Sequence, residues 1–319
     1  MTRANDHGAA HEASPRAGGA KLAKRAAIAS VSVALFLLLL KAFAAWTTGS
    51  VAMLGSLADT ALDVIASLIT LYGVRVAAAP ADEGHRFGHG KAEALAALAQ
   101  VALITVSAIG IAWRAVDRLI AGTVTADAEY GIGVSLLAIA TTLALLSYQR
   151  RVIARTGSVA IEADHVHYQS DLLLNASVIA ALVVDQYLGL SGADPLFGIV
   201  IALWLLFGAW RASARAIDQL MDREWPEEKR RRFIEAAARH PELRGMHDLR
   251  TRTSGAHDFV QFHVWVDPAM TVAEAHRVMD EVEHKLEEEF PGCEILIHVD
   301  PEGQTDRETL LPQELTERT

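Results

Sequence analysis

The chain has 319 residues, 51% of them hydrophobic, a mean hydropathy of +0.22 and a formal charge of −10, which excludes a wholly water-soluble composition and places part of it in a membrane. Residues 1–221 carry 16 acidic and 16 basic side chains and residues 222–319 carry 23 and 13, so the charge deficit belongs to the tail, and an acidic tail argues against a nucleic-acid surface, which needs clustered Lys and Arg. One cysteine, Cys293, allows neither an intrachain disulfide nor a thiolate cluster, so any metal must be held by carboxylates and the 13 histidines.

In chain order, residues 1–20 are small and polar and read as a disordered tail. The apolar run after them is too long for a signal peptide and reads as the first of six membrane helices. These are expected over 26–46, 50–76, 92–118, 129–149, 161–188 and 193–215, each long enough to cross ~30 Å of hydrocarbon. Short breaks at Thr47, Thr48 and Gly49 and at Gly189 to Gly192 imply antiparallel hairpins. Lys21, Lys24 and Arg25, then Arg75, Arg86 and Lys91, then Arg150, Arg151 and Arg155, and finally Arg211 and Arg215 all fall on one side. By the positive-inside rule that side, with both termini, is cytoplasmic.

The transport domain is thus expected over residues 21–221 and a soluble domain over 222–301, with a flexible tail at 302–319. Pro226 opens a charged helix to about Arg239, strands follow at His247–Thr253 and Asp258–Val266, and an amphipathic helix carries the seam Ala275, Met279, Val282 and Leu286 before Pro291 and Gly292. A last strand, Cys293 to Val299, completes a small α/β domain of order αββαβ, of ferredoxin or metallochaperone type, which suits an antiparallel sheet with helices on one face.

Within the second helix Asp59 and Asp63 are four residues apart, on one face. Each carboxylate at mid-bilayer costs roughly 2.5 to 3.5 kcal/mol on insertion scales. The fifth helix repeats the spacing with His167 and Asp171. At ~1.5 Å rise per residue, Asp171 lies about 15 Å from the cytoplasmic start of its helix and Asp59 about 14 Å from the outer start of its own, so the depths match. Facing each other, the pairs would supply three carboxylates and one imidazole, a set suited to tetrahedral Zn²⁺ and open to Fe²⁺, Cd²⁺ or Co²⁺.

The chain resembles the cation diffusion facilitator family, in its bacterial zinc and ferrous-iron efflux type. The motifs that carry the likeness are Asp59-x₃-Asp63, the loop from Pro80 to Glu93, His167-Tyr-Gln-Ser-Asp171, His247-Asp-Leu-Arg-Thr-Arg252 and Ile297-His-Val-Asp-Pro301. The resemblance implies a second metal site at Asp82, His85 and His89. It also implies a binuclear zinc site in the tail, from His247, His263, His276, His298 and Asp300, that helps hold a homodimer. Lys91 and Asp222 look like the family's salt-bridge partners between the membrane domain and the tail across the dimer.

The expected function is therefore a bacterial inner-membrane exporter of divalent metal, not an enzyme, that exchanges the metal for protons by alternating access, because carboxylates and imidazole bind either protons or metal. A ferrous-iron-selective pump of the same family is the alternative. An intramembrane metalloenzyme lacks an HExxH sequence here, and a channel conflicts with a closed four-ligand cage.

Overall fold

The structure, a computed structural model, describes residues 15–48, 51–121, 132–188 and 193–303. It divides into two compact units, one of Ala20–Leu220 and the other built on Met221–Thr319.

The first unit is helical: α1 (Pro15–Thr48), α2 (Val51–Ala77), α3 (Ala92–Ala121), α4 (Ile132–Thr156), α5 (Val159–Leu188) and α6 (Ala193–Leu220). Helix α1 begins at Pro15, inside the stretch read as disordered; proline suits the first helical position because the N–H it lacks would be unpaired there anyway. The two expected hairpin breaks, the start of the fourth span at residues 129–131 and the tail beyond residue 303 lie wholly or partly outside the described residues. Five helices, all but α5, hold described stretches long and apolar enough to cross a membrane. Helix α5 instead carries Glu162, Asp164, His165, His167 and Asp171. Ionisable residues of a membrane helix face its neighbours or a watery cavity rather than lipid.

Small residues set the packing. Ala23, Ala26, Ala27, Ala96 and Ala160 share one buried cluster with Val74, Val152 and Ile161, and Ile104, Ala108, Ile201, Leu205 and Ala209 join α3 to α6. Lipid tails are as apolar as leucine, so helices associate in membranes through close backbone approach and van der Waals contact. Gly73 of α2 is the clearest instance: a Cβ there would stand 2.3 Å from the Cβ of Ala96 on α3.

The second unit runs α7 (Glu227–Ala237), β1 (Arg244–Ser254), β2 (His257–Val266), α8 (Val272–Glu289) and β3 (Cys293–Pro301). The αββαβ order is as read from the sequence, but the sheet is mixed: β1 and β2 pair antiparallel, and β2 and β3 pair parallel in the order β1-β2-β3. The connection explains the difference. A tight turn after β1 reverses the chain, whereas the α8 crossover returns it to the same end of the sheet, so β3 must run alongside β2. Both helices cover one face, where Phe233 of α7 and Met279, Val282 and Leu286 of α8 meet Val260, Phe262, Val264, Ile295 and Ile297. Each such buried side chain contributes roughly 1.5–3 kcal/mol. Thr271 and Glu274 form a capping box that starts α8, and the seam Ala275, Met279, Val282 and Leu286 is the buried one.

Candidate metal centres

Alternation along a strand sends odd and even residues to opposite faces. With Phe262 and Ile297 facing the helices, His263 and His298 are turned to the uncovered face. The register places His247 opposite His263 on β1 and His263 beside His298 on β3, so three histidines form a row across the sheet. Their rings lie 5.3 and 4.5 Å apart in sequence along the row. The Asp300 carboxylate serves all three: Oδ2 is 2.9 Å from His263 Nδ1 and 3.3 Å from His247 Nε2, and Oδ1 is 3.4 Å from His298 Nε2.

The tautomer of His247 follows from its other nitrogen. Nδ1 lies 2.7 Å from the Gly245 carbonyl, which can only accept, so Nδ1 carries the proton and Nε2 presents a lone pair. Nε2 and the Asp300 oxygen are then two acceptors in contact, an arrangement that needs a proton or a cation between them. A backbone carbonyl behind a histidine is the usual outer support of a metal ligand. Gly245 supplies it from a left-handed backbone, φ 54°, beneath the Trp265 ring, where a Cβ would approach to 2.1 Å. His276 does not join this group within the chain. It stands on α8, which covers the opposite face, with Nδ1 3.4 Å from Asp280 Oδ1.

The loop after α2 repeats the device. His89 Nδ1 donates to the Pro80 carbonyl at 3.2 Å, leaving its Nε2 lone pair 3.2 Å from Asp82 Oδ2. Asp82 Oδ1 lies 3.3 Å from His85 Nδ1 and accepts from the backbone N–H groups of Gly84 and His85. The His85 backbone N–H is the main reason that the Asp82 carboxyl sits below the usual carboxylate range, against an opposing effect of burial. With Asp82 and His85 more than half exposed, at 55% and 64%, this cluster is open to water.

The third cluster is enclosed. Asp63 of α2 and His167 and Asp171 of α5 present ligand atoms within 4.8 Å of one another. His167 Nε2 lies 3.2 Å from Asp63 Oδ1 and 3.9 Å from Asp171 Oδ2, and it is buried without a hydrogen-bond partner. A buried polar atom left so is costly unless something else satisfies it. Asp59, the fourth residue expected here, is exposed one turn along α2 and lies outside that group.

Beside this cluster sits a polar network that the sequence reading did not anticipate. Asp164, fully buried, accepts from Gln149 Nε2 at 2.7 Å and Gln100 Nε2 at 3.3 Å. Gln149 also donates to Ser30, and Gln100 to Thr70 and the Ala66 carbonyl. Tyr168 donates to the Ser30 carbonyl at 3.0 Å, so the Ser67 hydroxyl, 2.8 Å away, donates to Tyr168. Five helices, α1 to α5, meet at these bonds. The signal available in the sequence was an aspartate one turn before His167 and single glutamines inside apolar runs.

Lys91 and Asp222 each have a partner within their own unit: Lys91 Nζ donates to the Leu220 carbonyl at 3.1 Å, and Asp222 lies 3.6 Å from Arg252.

Two family models divide this chain as the folds do. One, described as the cation efflux transmembrane domain, matches residues 27–221, and the other, the cytoplasmic domain of cation efflux proteins, matches 225–302. The chain belongs to the cation diffusion facilitator family. This cation diffusion facilitator is 43% identical over 282 residues to the cation-efflux pump FieF of Pectobacterium atrosepticum, across 88% of this chain and 94% of that one. FieF of Escherichia coli K12 is 42% identical over 288 residues, 90% of this chain and 96% of that one. A solved structure of the putative zinc transporter CzrB in its zinc form is 39% identical and covers 26% of this chain and 97% of its own, with a TM-score of 0.24. As a cation diffusion facilitator the chain is a multi-pass membrane cation efflux transporter, with an α/β domain after its helices.

Proposed function

We propose that the chain exports divalent transition metal, Zn²⁺ foremost, across a bacterial inner membrane in exchange for protons, as a homodimer with both termini in the cytoplasm. The observation that carries this reading is the enclosed cluster of Asp63, His167 and Asp171, whose central atom, His167 Nε2, is buried without a hydrogen bond. Two carboxylates and one imidazole leave room for a fourth ligand in a tetrahedral set. Asp59 is the candidate, one helical turn from Asp63 on the same face of α2. Imidazole and carboxylate bind protons or metal in competition, so the same groups that take the ion from the cytoplasm release it when protonated from outside.

Zinc is favoured by the mixed nitrogen and oxygen donors and by the CzrB relative, described as a putative zinc transporter. Fe²⁺, Cd²⁺ and Co²⁺ suit the same donors. Asp82, His85 and His89 are proposed as an open second station. His247, His263, His298 and Asp300 are proposed as the zinc site of the cytoplasmic domain, which a bound ion would stabilise, and His276 as a ligand delivered by the partner subunit. Lys91 and Asp222 are proposed to pair across that dimer.

The test is metal uptake into sealed proteoliposomes under an imposed pH gradient, with competing metals. Zinc uptake by the parent, lost when the gradient is dissipated and lost in His167→Ala, is expected. Uptake indifferent to the gradient would remove antiport, and full uptake by the variant would remove the site.

A further inference from the structure

A second polar feature of the helical unit lies outside the Asp63, His167 and Asp171 cluster. A cavity of about 340 Å³ between α4, α5 and α6 is lined by Arg150, Glu162, His165, Phe207, Arg211 and Arg215. Arg215 is ion-paired with Glu162. Arg211 lies over the Phe207 ring, 5.9 Å from its centroid. Among the described residues, neither Arg150 nor Arg211 has a carboxylate within ion-pair distance. A divalent cation entering here would be repelled by two guanidinium groups without a paired carboxylate, whereas an anion would be attracted.

The surroundings say which anion. On α6 the exposed residues Leu196, Val200, Leu203 and Phe207 follow one another at spacings of four, three and four, forming an apolar stripe that runs into Arg211 and Arg215 over the next two turns. Trp210, exposed, adjoins Arg211 at that transition; tryptophan concentrates at the level of lipid headgroups. One helix thus offers a track for an acyl chain and, at its end, guanidinium forks shaped for phosphate oxygens.

We propose that this cavity binds the headgroup of an anionic phospholipid of the surrounding leaflet, of phosphatidylglycerol type, with Arg150 and Arg211 on the phosphate and an acyl chain along the α6 stripe. Basic pockets between helices at a membrane surface are known to hold such headgroups.

The test uses the purified full chain in mild detergent, with binding of phosphatidylglycerol and phosphatidylcholine of equal chain length read by native mass spectrometry. A preference of roughly 25-fold for phosphatidylglycerol is expected, a factor of about five for each unpaired guanidinium. It should fall to near parity in Arg150→Gln/Arg211→Gln, persist largely in Arg211→Lys, and be unchanged in Arg75→Gln, which lies on α2 outside the cavity. On the parent chain, glycerol phosphate at the same concentration should not displace the lipid. Equal binding of the two lipids, or a double variant that keeps the preference, overturns the proposal. An equal loss in Arg75→Gln overturns it in favour of general surface charge, and displacement by glycerol phosphate in favour of a free-phosphate site. The competition needs no variant, so it decides even if the double variant fails to fold.

Discussion

His167 Nε2 stands 3.2 Å from Asp63 Oδ1 across the packing of α5 on α2, and it makes no hydrogen bond there. The two side chains belong to helices far apart in sequence, yet each presents a ligand atom to the same small space.

Substituting either residue should therefore remove transport itself. Asp63→Ala and His167→Ala are expected to lower zinc uptake into proteoliposomes by more than the roughly 10–100-fold that follows loss of a metal ligand's outer partner. The variants should still fold, since Asp164 and its glutamines hold the same helices from beside the site. Unchanged uptake in either variant would take that residue out of the transport site.

Asp164 should prove a stability residue. Asp164→Leu leaves the Nε2 groups of Gln100 and Gln149 with one acceptor fewer in a buried place, at about 1–3 kcal/mol for each group left unsatisfied. Asp164→Asn retains an acceptor oxygen and should cost less. Thermal unfolding in detergent, followed by size-exclusion fluorescence, should rank parent above Asn above Leu; a leucine variant as stable as the parent would contradict the network.

Gly245 should tolerate no side chain. Its left-handed φ costs roughly 1–2 kcal/mol for any other residue, and a Cβ would collide with Trp265. Gly245→Ala is expected to destabilise the cytoplasmic domain and weaken its zinc binding together, because the Gly245 carbonyl sets the tautomer of His247. Calorimetric zinc titration of the full chain measures the binding effect and thermal unfolding the stability effect, each compared with His247→Ala; a Gly245→Ala chain that matches the parent in both would contradict this role.

Metal removal should act on the same domain. A ligand that binds only the folded state at 100 times its Kd stabilises it by about 2.7 kcal/mol, so chelation should lower the unfolding temperature of the cytoplasmic domain. That shift should vanish in His263→Ala. Persistence of the shift in the variant would place the responsible ion elsewhere.

The cap of α8 provides a pH prediction. The Thr271 backbone N–H bonds to the Glu274 carboxylate and holds its pKa below the ordinary value of 4.5. A depressed folded pKa means that stabilisation is complete above the ordinary value and lost as pH falls through the folded one. Glu274→Gln mimics the protonated state, so parent and variant should differ at neutral pH and converge in acid. Circular-dichroism melts at a series of pH values would show a constant difference if the carboxylate charge played no part.

Much of the fold was legible because its signals are local. Runs of about 20 apolar residues mark membrane helices without reference to anything else in the chain, and the three- and four-residue spacing of Ala275, Met279, Val282 and Leu286 marks the buried side of α8. Asp63, His167 and Asp171 were legible as pairs because i, i+4 spacing puts two side chains on one helix face. The direction of β3 was not, since αββαβ order is compatible with either pairing until the α8 crossover is placed. The role of Asp164 was hidden for a related reason: its partners come from α3 and α4, at sequence distances where no spacing rule applies.

By itself the sequence determined the kind of chemistry: nitrogen and oxygen donors with a single cysteine, acidic residues set into apolar helices, and a soluble α/β domain after them. Residue type and short-range periodicity carry that information directly. Only the tertiary structure decided which donors meet. It put His247, His263 and His298 in one row by strand register, left His276 on the covered side of the sheet, and set Asp63 against His167 while Asp59 stays one turn away. Register, helix rotation and the face on which a crossover packs are properties of contacts between distant segments, so no stretch of sequence states them alone.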